Sequence, residues 1–305
     1  MSILITENLS HKYGAGWAIR DINIDIPQKG AYGLLGANGA GKSTLMNIIC
    51  GALKPTDGRV IVNGIDLRKE PQRAKTSIGF LPQILPLYLD LSVEEYLRYT
   101  ASLRLVDKKN IDRAVEEVLE RCQITHFRRR LLKNLSGGYR QRVGIAQAII
   151  HKPLLVVMDE PTNGLDPNQL IETRRLIQEV AEQSLVLLSS HILTEIGQLC
   201  QEIILIDKGE LLFSDSASAF QQQVQSTYLQ VIFDNPPPIE QLSQLVGVNA
   251  VDMESKGSYR ISYDNLDMLT QQLLELSIQK GWKLKTIRPV ENSMDEVFKE
   301  LTNKR

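Results

Sequence analysis

The sequence predicts an α/β fold carrying a smaller α+β domain at its end, and three observations predict it. A glycine-rich loop, Gly36-Ala37-Asn38-Gly39-Ala40-Gly41-Lys42-Ser43, joins an apolar strand pattern to a helical one. Three apolar segments of strand length, Leu154 to Met158, Leu185 to Leu188 and Ile203 to Ile206, are separated by helical patterns, as buried parallel strands are. The tail then alternates short strand and helix patterns of its own.

Residues 1 to about 30 alternate apolar and polar positions around turns, and Thr56-Asp57-Gly58 introduces a further strand at Arg59 to Val62, so an antiparallel β layer is expected there. Between them, Ala31-Tyr32-Gly33-Leu34-Leu35 runs into the glycine loop. Leu45, Ile48 and Ile49 then share one helix face, and Gly51 is a natural stop. From Ser92 to about Leu132, Val93, Tyr96 and Leu97, then Ile111, Ala114, Val118 and Cys122, recur near helical spacing, which reads as an all-helical insertion. Asp166-Pro167 opens a later helix with a cap and a proline at the first helical position. The stretch Ser214 to Ser226, rich in Ser, Ala and Gln, divides this body from the tail, and a domain boundary is expected near it.

In the tail, Leu229, Val231 and Phe233 mark a strand, Ile239 to Leu245 a helix, and Lys256-Gly257 a hairpin with Tyr259, Ile261 and Tyr263 alternating beyond it. Leu266, Leu269, Leu273 and Leu276 then mark a helix, and Lys283 to Ile287 a strand. That succession is the ferredoxin-like pattern. A short helix from Met294 to Leu301 is expected to close the chain. The organisation predicted is 1–219 for the main domain, with a helical subdomain at about 84–135, and 227–305 for the accessory domain.

Bulk properties narrow the function. With 43% hydrophobic and 23% charged residues among 305, the composition is that of an ordinary globular protein. The 35 basic and 36 acidic residues balance, so no field favours nucleic acid or an anionic membrane surface as the main partner. Cys50, Cys122 and Cys200 are odd in number and widely spaced, and read as reduced core residues of a cytosolic protein. Apolar runs such as Leu154 to Met158 fall far short of the ~20 residues that span a bilayer. A membrane process would need another chain to supply the membrane part.

The glycine loop fits the phosphate-binding pattern G-x-x-x-x-G-K-[ST] in the required strand-to-helix context. Small residues let successive backbone N–H groups point into a concave anion site, and the helix beginning near Lys42 adds its positive end. Lys42 would neutralise β- and γ-phosphate oxygens, and the Ser43 hydroxyl would bind Mg²⁺. Leu154 to Met158 ends in Asp159-Glu160, at the carboxyl end of a strand, where ligands sit in open α/β sheets. Neighbours on a strand project to opposite faces, so Asp159 can serve the Mg²⁺ shell while Glu160 orients and deprotonates the attacking water. In Leu135-Ser136-Gly137-Gly138-Tyr139-Arg140-Gln141-Arg142, Ser136 caps a helix whose Val143, Ala146 and Ile150 share a face, and Gly137-Gly138 exposes amides at its positive end. This is a second anion-binding site. Arg128-Arg129-Arg130 reads as a solvated helix end, and His126 and His151 as structural.

With that segment in place, the sequence from about 1 to 215 resembles the ABC ATPase family, whose core has the RecA-like P-loop NTPase fold. The resemblance implies that two subunits pair head to tail, each ATP lying between the phosphate loop of one and Ser136, Gly137, Gly138 and Tyr139 of the other. It implies nucleotide contacts by Tyr13, which stacks on adenine, and by Gly36, Ala37, Asn38, Gly39, Ala40, Gly41, Lys42, Ser43 and Thr44. It further implies Mg²⁺ contacts by Ser43, Gln83 and Asp159, a dimer-interface role for Asp166, and catalytic roles for Glu160 and for His191 at the γ-phosphate. Tyr139 departs from the glutamine common at its signature position, without touching Ser136 or the glycines. The phrase Gly164-Leu165-Asp166-Pro167-Asn168-Gln169 and the ending Ser293-Met294-Asp295-Glu296-Val297-Phe298 resemble the type-2 exporter branch, with gliding-motility-type and multidrug-type ATPases.

What this implies is an ATP-hydrolysing subunit on the cytoplasmic face of the cell membrane, working with Mg²⁺, a second ATPase subunit and a separate transmembrane permease, with no nucleic acid partner. A competing reading is a soluble, non-transport ABC ATPase acting on ribosomes or DNA. Such proteins usually carry two cassettes in one chain or a long coiled-coil insertion, and this chain has neither. The tail holds no acid pair, metal cluster or nucleophile, and reads as a regulatory or dimer-contact domain.

Overall fold

The computed structural model describes residues 2–190, 192–222, 228–290 and 297–298. Two compact units divide the chain, residues 1–217 and 218–305. In the first, β1 (Leu4–Tyr13) and β2 (Gly16–Ile26) precede β3 (Gly30–Leu35), the glycine loop and α1 (Lys42–Ile49). There follow β4 (Asp57–Val62), β5 (Ile65–Asp66), α2 (Pro71–Lys75) and β6 (Ile78–Leu81). The helical insertion holds α3 (Val93–Leu103) and α4 (Ile111–Arg121), and leads to α5 (Gly137–Ile149). Then come β7 (Leu155–Asp159), α6 (Pro167–Ala181), β8 (Leu185–Ser189), α7 (Leu193–Leu199), β9 (Glu202–Asp207) and β10 (Glu210–Ser216), and α8 (Ala217–Gln222) starts on the last residue of this unit.

Among the described residues these strands form an antiparallel sheet in the order β2-β1-β4-β5 and a larger sheet in the order β10-β9-β3-β8-β7-β6. In the larger sheet only β10 is antiparallel. Its central strands are buried residue after residue, Leu155 to Asp159 and Leu185 to Ser189, because helices cover both faces of a parallel sheet. Leu4, Ile19 and Val60 of the first sheet share one core with α1 residues Leu45, Met46 and Ile49 and with Leu34, Val157 and Leu187 of the second. Burial of that kind, at roughly 25 cal/mol per Å² of apolar surface, is what fixes α1 over the strand ends.

The Gly51 stop and the buried cysteines are as the sequence leads one to expect, and the structure adds a cap and ion pairs. Gly51 ends α1 at φ +67°. The Ser92 hydroxyl accepts the Glu95 N–H while the Glu95 carboxylate accepts the Ser92 N–H, a reciprocal cap that starts α3. Cys50, Cys122 and Cys200 are free and buried. Of the run expected as a solvated helix end, Arg129 and Arg130 are exposed, whereas Arg128 is half-buried and held by Glu94 and Glu116.

Two strands at the margins of the larger sheet are additions. The segment Ile78-Gly79-Phe80-Leu81 becomes β6 because Gly79 lets α5 approach: a Cβ there would lie 2.1 Å from the Ala148 carbonyl oxygen. The Ser, Ala and Gln-rich stretch that starts at Ser214 completes β10 and forms α8, and residues 223–227 lie outside the described residues.

In the second unit β11 (Tyr228–Phe233), α9 (Ile239–Ser243), β12 (Val248–Ser255), β13 (Ser258–Tyr263), α10 (Leu266–Lys280) and β14 (Leu284–Val290) follow one another. The sheet order β12-β13-β11-β14, all antiparallel, is that of a ferredoxin-like layout. Leu229, Val231, Leu269, Leu273 and Trp282 form its core. Of the closing helix expected at Met294 to Leu301, only Val297 and Phe298 are described, and they are helical; the rest lies outside the described residues.

His151 follows α5 with Nε2 3.1 Å from the Ile78 carbonyl oxygen, while Nδ1 is buried without a hydrogen bond. Burial, aided by the Arg104 charge, pushes its pKa from 6.5 down to about 4. Between these values the unfolded chain binds a proton that the folded chain refuses, so stability is complete above about pH 6.5 and is lost as pH falls towards 4. His151→Gln is expected to flatten the acid limb of the melting temperature against pH over that window, an effect of at most roughly 3 kcal/mol.

Candidate nucleotide-binding site

The glycine loop leaves β3 and enters α1 at a left-handed Gly41, φ +109°. A Cβ at that position would lie 2.5 Å from the Ala18 carbonyl oxygen and 2.6 Å from Ile19, so only glycine fits. Ala37, Asn38 and Gly39 are exposed at the tip, and the first amides of α1, on Lys42, Ser43 and Thr44, have no intrahelical partner. Lys42 is 7% exposed, and its Nζ donates to the carbonyl oxygens of Gly36 at 2.8 Å and Ala37 at 3.0 Å. Burial lowers its pKa, opposed by the charges of Glu160 and Asp159. The cation therefore sits inside the loop with both acids close enough to be felt.

Those acids come from the carboxyl end of β7. Parallel register sets Asp159 beside Ser189 of β8. The Ser189 hydroxyl donates to Asp159 Oδ1 at 2.6 Å and accepts the Glu160 N–H at 2.9 Å. Strand alternation does not separate the acids, as simple pleating would have it, because Glu160 has already left the strand, at φ +49°. Its carboxylate is turned instead by the loop: Oε2 accepts from Asn163 Nδ2 at 3.0 Å and from Gln83 Nε2 at 3.4 Å. Gln83 thus meets Glu160, having been carried there by β6. Ser189 and Asn163 are contacts of the two acids to which the sequence analysis assigns no role. A polar residue ending an apolar strand, as Ser189 does, is the signal that could have found the first.

Tyr13, at the end of β1, is 58% exposed and stacks edge-on against His11, which suits a ring presented to a ligand rather than strand filler. Asp166 accepts the N–H groups of Asn168 and Gln169 and caps α6. His191 lies outside the described residues.

The second glycine segment differs from expectation in two respects, at Ser136 and at Gly138. Ser136 stands at the cap position of α5 but its side chain makes no capping hydrogen bond. It is exposed, as is Gly137. Gly138 is buried, and a Cβ on it would lie 2.0 Å from Gln169 Oε1. Tyr139 packs edge-on against Phe127, with ring centroids 4.4 Å apart, and lies under Arg142. The ring is thereby turned to the helical insertion, and the exposed hydroxyl and amides of Ser136 and Gly137 are left as they are.

The two helix ends therefore have separate neighbours. The phosphate loop packs on Ala18, Ile19 and Ile206, and its Ala40 carbonyl accepts the Gly209 N–H. The Ser136 segment packs on Phe127 and Gln169. Among the described residues no group of three or more His, Cys, Asp and Glu forms a metal cluster, and no helix is long and apolar enough to cross a membrane.

Comparison with known proteins finds relatives along most of the chain. Residues 19–163 match the family model described as ABC transporter. The bacitracin transport ATP-binding protein BcrA of Bacillus licheniformis is 32% identical over 302 residues, covering 98% of this chain and 97% of that one. The lipopolysaccharide export system ATP-binding protein LptB of Haemophilus influenzae is 31% identical over 75% of this chain and 98% of its own. A solved ATP-binding subunit of an ABC transporter superposes on 73% of this chain and 93% of that one with a TM-score of 0.67, at 27% identity. Lys42→Ala is expected to weaken ATP binding about 10- to 100-fold in an equilibrium titration, the loss of one charge-assisted phosphate contact; unaltered affinity would refute the loop's role.

Proposed function

The chain belongs to the ABC transporter ATP-binding proteins, and from that premise we propose that it closes on ATP as one of a head-to-tail pair and passes the movement to a separate membrane-spanning permease. It is an ATP-binding and ATP-hydrolysing subunit of such a transporter. The observation that carries the pairing is the separation just described: two exposed helix ends fit to bind anions stand on different neighbours in one unit, so each half-site needs its complement from another subunit. In the pair, Tyr13 stacks on adenine, residues 36–44 hold the phosphates, Ser136, Gly137 and Gly138 of the facing subunit close over the γ-phosphate, Tyr139 stays with the helical insertion, and Asp166 lies at the interface.

Oxygen donors suit a magnesium ion, which takes one or two carboxylates together with substrate phosphates. Here they are the Ser43 hydroxyl, the Gln83 amide and Asp159, whose Oδ1 is engaged by Ser189 while Oδ2 has no hydrogen bond to the described residues. Mg²⁺ bound by these would neutralise charge on the β- and γ-phosphates. The chain's own groups do the rest. Glu160, held by Asn163 and Gln83, orients and deprotonates the attacking water, Lys42 exchanges its loop carbonyls for phosphate oxygens, and His191 contacts the γ-phosphate.

Export is the direction favoured by the likeness to the type-2 exporter branch and by the relative named for lipopolysaccharide export. Neither relative speaks for the competing ribosome or DNA machine, and the pairing takes place on the cytoplasmic face of the cell membrane, with a second copy or a related ATPase. The permease meets the face between the Gln83 loop and the insertion, where Ile84 is 86%, Leu105 76%, Leu103 61% and Tyr88 57% exposed beside a groove lined by Tyr96 and Arg104. Residues 1–219 act as the ATPase domain, with about 84–135 as the helical subdomain, and 227–305 as a regulatory or dimer-contact domain.

Glu160→Gln is expected to keep ATP affinity within about threefold while turnover falls ~10²–10⁴-fold, with the dimer trapped in size-exclusion chromatography on ATP. Normal turnover removes Glu160 from its role, and a monomer hydrolysing at full rate removes the pairing. Truncation after Ser226 is expected to impair ATPase, pairing or membrane association, each measured against the full chain; a truncated protein normal in all three would leave the tail without the assigned role.

A further inference from the structure

The most enclosed carboxylate among the described residues is outside the set considered so far. Glu195, in α7, has a side chain that is 0% exposed. Its Oε2 accepts from the Thr162 hydroxyl at 2.9 Å and from the Ser190 hydroxyl at 2.8 Å, and its Oε1 faces Arg174 Nε at 3.4 Å. Arg174 also donates to Gln198 at 3.0 Å. A buried carboxylate costs several kcal/mol of desolvation unless paired and hydrogen-bonded, and an apolar residue of similar volume in its place is often neutral or more stable. The position is thus poorly explained by stability.

Its partners share a location. Thr162 stands two residues after Glu160 on the same loop. Ser190 directly follows β8 and Ser189, the partner of Asp159, and its hydroxyl also accepts the Ile192 N–H at 3.0 Å. Arg174 lies on α6, the helix that Asp166 caps. One buried charge therefore ties together the loop that follows Glu160, Ser190 just beyond β8, and α6, the helix that Asp166 caps. The buried hydroxyls of Thr162 and Ser190, 6% and 3% exposed, are the kind of groups that would otherwise need partners of their own.

We infer that Glu195 is a positioning residue for ATP hydrolysis, whose carboxylate fixes these segments relative to one another so that the Glu160 loop, the end of β8 beside Asp159 and the interface helix are set together. The inference rests on the nucleotide reading of this site. It predicts a defect in the chemical step rather than in binding, because none of the tethered atoms belongs to the phosphate loop.

The test uses the purified full-length protein, with ATPase kinetics and melting measured for Glu195→Ala, Glu195→Gln and Lys42→Ala. Glu195→Ala is expected to lower kcat at least about tenfold with KM for ATP changed less than about threefold. Glu195→Gln keeps an oxygen for both hydroxyls and is expected to recover most of kcat. A purely structural residue would lower the melting temperature without that split and without that rescue. Glu195→Ala with kcat within about twofold of the parent, or Glu195→Gln no better than Glu195→Ala, overturns the inference. Should Glu195→Ala fail to fold, Ser190→Ala carries the test: kcat lowered at least about threefold at constant KM supports it, and unchanged kcat overturns it. Lys42→Ala separates the two readings. Full ATP turnover in that variant sinks the nucleotide site itself, whereas loss of turnover there beside an unaffected Glu195→Ala sinks only the role of Glu195.

Discussion

Everything in the site follows from the parallel pairing of β7 with β8 and of β8 with β3. Parallel strands end together, so the turns that leave β3, β7 and β8 emerge at one edge of the sheet. A slip of one residue between β7 and β8 would part Asp159 from Ser189 and turn every side chain of the strand to the other face. What prevents the slip is burial on both faces, since Leu155 to Met158 and Leu185 to Leu188 are all fully enclosed. Apolar packing at some distance thereby sets a hydroxyl-to-carboxylate bond of 2.6 Å and, through Ser189, the backbone amide of Glu160.

Around that fixed edge the polar side chains are placed by loops that tolerate strain. Glu160 takes a left-handed conformation that costs a residue with a Cβ on the order of 1 kcal/mol or more, and the surrounding bonds from Ser189, Asn163 and Gln83 are what hold it there. Gln83 reaches Glu160 from β6, and Gln141 of α5 donates to the Pro161 carbonyl oxygen at 2.9 Å. The segment beyond β7 is consequently tied both to the strand that leads towards the exposed apolar face and to the helix that begins with the second glycine pair. A change at either place has a short covalent and hydrogen-bonded route to Glu160.

The parts legible in the sequence are those governed by short-range rules. Phosphate loop, α1, the capped start of α6 and the apolar strands β7, β8 and β9 rest on glycine, capping and burial patterns that act within a few residues, and the order of the tail rests on alternation. What escaped is long-range. β6 is four residues with a glycine inside it, and becomes a strand only because α5 packs against that glycine and β7 lies alongside. The role of Ser189 depends on a neighbour 30 positions away, and that of Glu195 on Thr162, 33 positions away. Ser136 shows the opposite error, for a serine before a helix reads as a cap, whereas here the hydroxyl is left unbonded to its own helix.

That unbonded hydroxyl is itself informative. A serine that capped α5 would gain on the order of 1 kcal/mol for the isolated subunit. Leaving Ser136 and Gly137 exposed, with Gly138 pressed on Gln169 and Tyr139 drawn aside onto Phe127, forgoes that stabilisation and keeps donors pointed outward from the positive end of a helix of 13 residues. Donors kept in this way gain most when an anion is brought to them in a surrounding from which water is excluded, because a charge-assisted hydrogen bond strengthens as the local dielectric falls. The phosphate loop shows the same economy, its lysine resting on two carbonyl oxygens that a phosphate can replace. Both helix ends therefore keep polar groups that an anion from outside the chain would satisfy.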